Sequence, residues 1–141
     1  MNLKPPPRLE DWEPRLLDYV RSIAHTPMVW GQHDCLIFVL GAVDAMTGSG
    51  LASLIKGRYS DPDGAWEVCR SFGYKSHGHY LARNFKPRAS RFRIMRGDAV
   101  AFPTANKEIG LGICQGSNSY VLTTEKLGVI PNQFVRKGFG V

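Results

Sequence analysis

The stretch Trp30-Gly31-Gln32-His33-Asp34-Cys35 constrains the chain more than any other, because of the run that follows it. Leu36, Ile37, Phe38, Val39, Leu40, Ala42, Val43, Ala45 and Met46 are apolar on nearly every side of a helix, and Asp44 is the only charge among them. A helix that is apolar all round is a buried helix. Asp34 stands where an N-cap belongs, and Gly48 stands where a C′ glycine belongs. Cys35 is therefore expected in the first turn of a central helix. Unpaired N–H groups and the positive end of the helix dipole favour a thiolate there. The plain alternative is a small core cysteine.

The pattern aromatic-Gly-x-x-Asp-Cys-x-x-Phe-Val, running here from Trp30 to Val39, resembles the nucleophile motif of the NlpC-type papain-like cysteine peptidases. These enzymes cut peptide bonds in bacterial cell walls. The resemblance is to their short branch in particular, encoded by tailed phages and gene-transfer particles. Two more motifs extend it to about Gly116. Arg96-Gly97-Asp98-Ala99-Val100-Ala101-Phe102 is similar to the family's Gly-Asp strand. Leu111-Gly112-Ile113-Cys114-Gln115-Gly116 is similar to its next strand, normally written His-Val-Gly-Ile-x-x-Gly. The resemblance implies an α+β, papain-like fold: N-terminal helices, with a central buried helix packed on a small antiparallel sheet. It implies Cys35 as nucleophile, Asp34 as its helix cap, and Trp30 and Gly31 beside a substrate groove. It implies no cofactor.

The departure from the family falls on the base. Its histidine opens the third motif, and the matching position here is Gly110. A cysteine peptidase needs a group that takes the thiol proton and later protonates the leaving amine, which glycine cannot do. No histidine follows His79. His33, two residues before Cys35, is a candidate base only if its turn folds back, since neighbours two apart do not face each other on a helix. His77 or His79 could reach the thiol from a loop.

A chain of 141 residues suits one domain, 1–141, with a sizeable core. Residues 1–10 form a Pro-rich arm. Pro5-Pro6-Pro7 is stiff and extended, either a loose terminus or an arm that packs on a neighbouring subunit. No apolar run is long enough to span a membrane, and Met1 to Arg8 lack the apolar core of a signal peptide. Synthesis in a reducing bacterial cytoplasm is expected, with Cys35, Cys69 and Cys114 as thiols.

Leu16, Val20 and Ile23 recur at helical spacing and predict a helix from about Glu13 to Ala24, with Pro14 in its first turn. Leu51 to Tyr59 reads as a short helical or irregular connection. Asp61-Pro62 opens another helix, with Ala65, Cys69 and Phe72 on its inner face and Gly73 beyond its end. Ala99–Phe102, Ile109–Cys114, Tyr120–Thr124 and Gly128–Ile130 read as strands of an antiparallel meander, with turns at Thr104–Lys107 and Gln115–Ser119. Phe134 to Val141 reads as a short edge strand or a docked tail. Helices followed by a meander argue for α+β.

His77-Gly78-His79 invites a metal reading with His25, His33 and Cys35, but the spacing matches no common zinc pattern, and no metal site is expected. The two histidines are expected in a polar loop. Arg83, Lys86, Arg88, Arg91, Arg93 and Arg96 form the densest basic run, uninterrupted by an acid. It reads either as a solvated loop or as a contact, through Arg88, Arg91 and Arg93, with acidic protein or anionic wall polymer. Nucleic acid is not expected, because the run offers only Phe85 and Phe92 for stacking. The net charge of +6 points the same way, toward acidic partners. The expectation is a component of a phage tail tip, sitting beside other hub and tip proteins, whose peptidase has lost its base. The alternative is an active peptidoglycan endopeptidase or amidase with Cys35 as nucleophile, aiding genome entry.

Overall fold

Among the described residues the chain forms four helices: α1 (Trp12–Ile23), α2 (Cys35–Thr47), α3 (Pro62–Ser71) and α4 (His77–Asn84). Six strands follow: β1 (Lys86–Pro87), β2 (Ala99–Pro103), β3 (Ile109–Cys114), β4 (Asn118–Leu122), β5 (Leu127–Pro131) and β6 (Lys137–Gly140). The computed structural model describes residues 3–106 and 108–141. Two residues of the expected N-terminal arm, Met1 and Asn2, and Lys107 of the expected turn lie outside them.

The middle helix forms where its punctuation says it must. The Asp34 side chain accepts the Ile37 N–H, and Gly48 closes the helix at φ 75° in the left-handed region. Phe38, Val39, Ala42, Val43 and Met46 are wholly buried. α1 packs along α2 through Leu16 and Val20. Tyr19 stacks on Phe38 and donates its hydroxyl to the Phe38 carbonyl at 3.0 Å. On the other side α2 meets the sheet through Ala99, Ala101, Leu111, Ile113 and Phe139. Alternation along the strands sends Val100 and Cys114 to the opposite face, where Ile94, Ile130 and Val135 cover them. α3 begins as read, with Asp61 capping Gly64 and Pro62 in the first turn.

All five strand pairings are antiparallel, in the order β1-β6-β2-β3-β4-β5. The meander from β2 to β5 is as expected. The C-terminal segment is neither the edge strand nor the docked tail that its sequence suggests. β6 inserts between β1 and β2, with Phe139 opposite both Pro87 and Ala99. The histidine pair also departs from its expected loop. Ser76 accepts the His79 N–H and caps α4, so His77 and His79 stand in the first turn of a helix.

The proline arm lies on its own domain. Leu9 donates its N–H to the Met46 carbonyl, and the Leu3 carbonyl accepts the Tyr80 hydroxyl. Among the described residues, no helix is long and apolar enough to cross a membrane.

Candidate functional site

Val29 and His33 exchange backbone hydrogen bonds at 2.9 and 2.8 Å and close the turn that delivers the chain into α2. Gly31 sits in that turn at φ 80°, and a Cβ there would run into the Tyr59 carbonyl. Only glycine satisfies both demands. Its N–H is donated to Asp34 Oδ2 at 3.0 Å, while its carbonyl accepts the Gly57 N–H at 2.7 Å. Trp30, next to it, is half-buried.

Asp34 holds the site together. Its carboxylate is 1% exposed. Oδ1 takes the Ile37 N–H at 3.0 Å, and Oδ2 takes the Gly31 N–H and, at 2.5 Å, the Tyr59 hydroxyl. Burial, then the hydrogen bond and charge of Asp34, push the Tyr59 phenol well above its ordinary range. Tyr59 was not singled out by sequence. It is 25 residues from Asp34 and carries no local pattern, so only the tertiary fold brings it in.

Cys35 stands in the first turn of α2, as expected, and is a free thiol. The residue keeps some exposed surface, yet desolvation dominates the surroundings of its thiol. Burial, seconded by the Asp34 charge, pushes the thiol up to about 11, against the pull of the N–H groups of Leu111, Leu36 and Cys35 itself. A helix N-terminus normally favours a thiolate; here desolvation and the adjacent carboxylate outweigh it.

No histidine nitrogen is hydrogen-bonded to the Cys35 sulfur among the described residues. His33 is buried at 8% exposure with its ring edge toward Phe38. Burial holds its pKa below the ordinary imidazole value, opposed by Asp34 and aided by Lys56. His77 stacks on Trp66, with centroids 6.3 Å apart. It too is held low by burial and feels the Asp34 charge in opposition. The Nε2 atoms of both histidines are buried and without a partner among the described residues. His79 instead accepts the Lys75 N–H at Nδ1.

Gly110 faces Phe102 across the β2–β3 pair. A Cβ at Gly110 would meet the Phe102 ring at 2.5 Å. Leu111 packs toward α2, so alternation turns the side-chain direction of Gly110 to the other face of the sheet. The residue expected in place of the base is thus aimed at a phenyl ring.

The basic run divides. Arg88 closes a bidentate pair on Asp98, at 2.8 and 2.9 Å, and Arg8 approaches the same carboxylate at 3.3 Å. Asp98 is fully buried and also takes the Met95 N–H at 2.9 Å. Arg88 is therefore a structural partner, not the free contact that its place in the run suggests. Arg91 and Arg93 stay exposed on a 3-10 turn, Arg91–Arg93.

Residues 7–141 match the model of a family described as a domain of unknown function (DUF6950). No curated protein matches the chain.

Proposed function

The chain belongs to the DUF6950 family, a domain of unknown function, and from the chemistry of its own site we propose that it is a papain-like, NlpC-type domain serving as a structural component of a phage tail tip, with the nucleophile position kept and the base lost. The observation that carries this reading is Gly110 against Phe102. It offers no proton acceptor, and its side-chain direction is filled by an aromatic ring.

The state of the thiol supports the same reading. Acyl transfer by cysteine requires a thiolate to attack the carbonyl carbon and a proton for the departing amine. A thiol held near 11 is ionised in about one molecule in ten thousand at neutral pH. Asp34 cannot help: it is already engaged by Gly31, Ile37 and Tyr59, and its charge opposes ionisation. Cys35 then serves as a compact start to a buried helix.

One observation favours a second reading, an active cell-wall endopeptidase or amidase. The His77 Nε2 is buried, unpartnered among the described residues and within the field of Asp34. It is the imidazole a rearranged site would use.

The test is muropeptide release from purified peptidoglycan by the wild type and by the Cys35→Ala and His77→Ala variants. All three are expected to be inert, and particles carrying Cys35→Ala are expected to assemble and infect as wild type does. Release by the wild type that disappears in both variants establishes the second reading and ends the first.

A further inference from the structure

Neither residues 83–96 nor residues 126–141 include an acidic residue. The fold lays them side by side. The Arg88 N–H is donated to the Gly138 carbonyl at 2.9 Å, and the Arg91 guanidinium to the Gln133 carbonyl at 2.9 Å. Arg136 donates to that same Gln133 oxygen at 3.0 Å. Two guanidiniums are thereby fixed by one carbonyl and held close together on the surface.

Two aromatic rings flank them. Phe92 is 83% exposed and Phe134 is 50% exposed. Arg91 lies over the Phe92 ring at 4.9 Å. The Arg93 and Lys137 side chains are exposed, and neither side chain has a hydrogen bond or ion pair among the described residues. Arg88 is not part of this set, since Asp98 neutralises it. The surface continues at Arg136 and Lys137 into an open cleft of about 940 Å³. Ala101, Ile109 and Phe139 line the cleft, and no acidic side chain does so among the described residues.

Arginine interleaved with exposed aromatics is the composition of protein-binding hot spots. Unopposed positive charge selects an acidic partner and steers its approach. The cleft's volume falls within the range of about 300–1,000 Å³ typical of sites that enclose a ligand. A single-stranded nucleic acid needs a track of bare ring faces on which bases stack. Here Arg91 already covers a face of Phe92.

We propose that this face docks an extended acidic segment of a partner protein. Its carboxylates meet Arg93, Arg136 and Lys137, and one of its apolar side chains enters the cleft against Ile109. The inference rests on reading the chain as a part that docks and does not cut.

The experiment uses a fluorescently labelled peptide of alternating glutamate and phenylalanine, its lysine-for-glutamate counterpart, and a labelled oligothymidine of equal charge. Fluorescence anisotropy is read at low and physiological salt. The glutamate peptide is expected to bind and the lysine peptide not to. Arg93→Glu/Lys137→Glu is expected to weaken binding by about tenfold or more, and Phe92→Ser to weaken it further. Circular dichroism serves as the folding control for each variant. Cys35→Ala is expected to bind unchanged. Oligothymidine binding as tight as the glutamate peptide's, or variants that are folded and still bind fully, overturns the proposal. The peptidoglycan assay is independent of it. An inert protein that ignores the acidic peptide loses this surface and keeps the reading, while a protein that releases muropeptides loses the reading whatever the peptide does.

Discussion

Gly31 and Gly110 show how one missing Cβ can mean opposite things. At Gly31 the absence lets the chain turn at positive φ under the Tyr59 carbonyl, and so aims Asp34 at its three partners. At Gly110 the backbone is an ordinary strand, and the absence makes room for the Phe102 ring. Restoring a histidine there therefore does not restore a base. Gly110→His is expected to overpack the sheet and destabilise it by about 1–3 kcal/mol, with no gain in muropeptide release. Adding Phe102→Ala is expected to recover part of that loss in thermal unfolding. A Gly110→His protein as stable as wild type, with measurable release, would remove the main support for a silent site. The second residue-scale prediction concerns Cys35 itself. Its alkylation rate is expected to rise only as the pH approaches 11, well past the ordinary range of a free thiol. A half-maximal rate below pH 8 would mean that a positive group stabilises the thiolate.

At the scale of elements, legibility followed the range of the contacts that make each one. α2 could be read because every signal for it is local: a capping Asp34, a closing Gly48 and an unbroken apolar run. α3 was readable from Asp61-Pro62 for the same reason, and the β2–β5 meander from alternation and turn residues. α4 was missed because its apolar side is short, chiefly Tyr80 and Leu81, and its first turn holds Gly78 and two histidines. The signal available was Ser76, a good cap three residues before His79. β6 has no local signature of its place, since two of its four residues are glycines and its partners are far away in sequence. In the site, Cys35 and Asp34 were legible, while Tyr59 and Phe102 were not, because tertiary pairing alone gives them a role. The Gly97-Asp98 motif was legible as a strand start but not as a hub. Asp98 ties the arm, β1 and β2 together through Arg8 and Arg88. Asp98→Ala strands two guanidiniums around an empty buried site, and is expected to cost about 3–5 kcal/mol in chemical denaturation. Arg88→Ala is expected to cost less, because Arg8 and the Met95 N–H remain on the buried carboxylate. Equal small losses for both would show that Asp98 is not the junction.

For the whole molecule, the buried ionisable groups around α2 set a window of pH in which the fold is most stable. On the acid side stand His33 and His77, both kept neutral by burial despite the nearby Asp34 carboxylate. The unfolded chain protonates each near pH 6.5, whereas the folded one resists to lower pH. Between those values the unfolded state holds more protons, so stability falls as pH drops below 6.5. On the alkaline side stands Cys35, whose thiol stays protonated to about 11 in the fold against a reference of 9.0. There the folded state holds the extra proton, so that contribution is complete below pH 9 and is lost as pH rises through 11. A shift of that size corresponds to roughly 3 kcal/mol. Tyr19, Tyr59 and Tyr80, all pushed up by burial, act in the same direction. The plateau should therefore run from about pH 7 to 9, set by neutral imidazoles below and a neutral thiol and phenols above. Thermal unfolding across pH 5 to 11 tests the assignment limb by limb. His33→Gln/His77→Gln should flatten the acid limb and leave the alkaline one in place. Cys35→Ala should soften the alkaline limb alone, and only in part, because the tyrosines remain. An acid limb as steep in the double histidine variant as in wild type would show that other groups drive acid unfolding, and that the two buried imidazoles do not stay neutral in the fold.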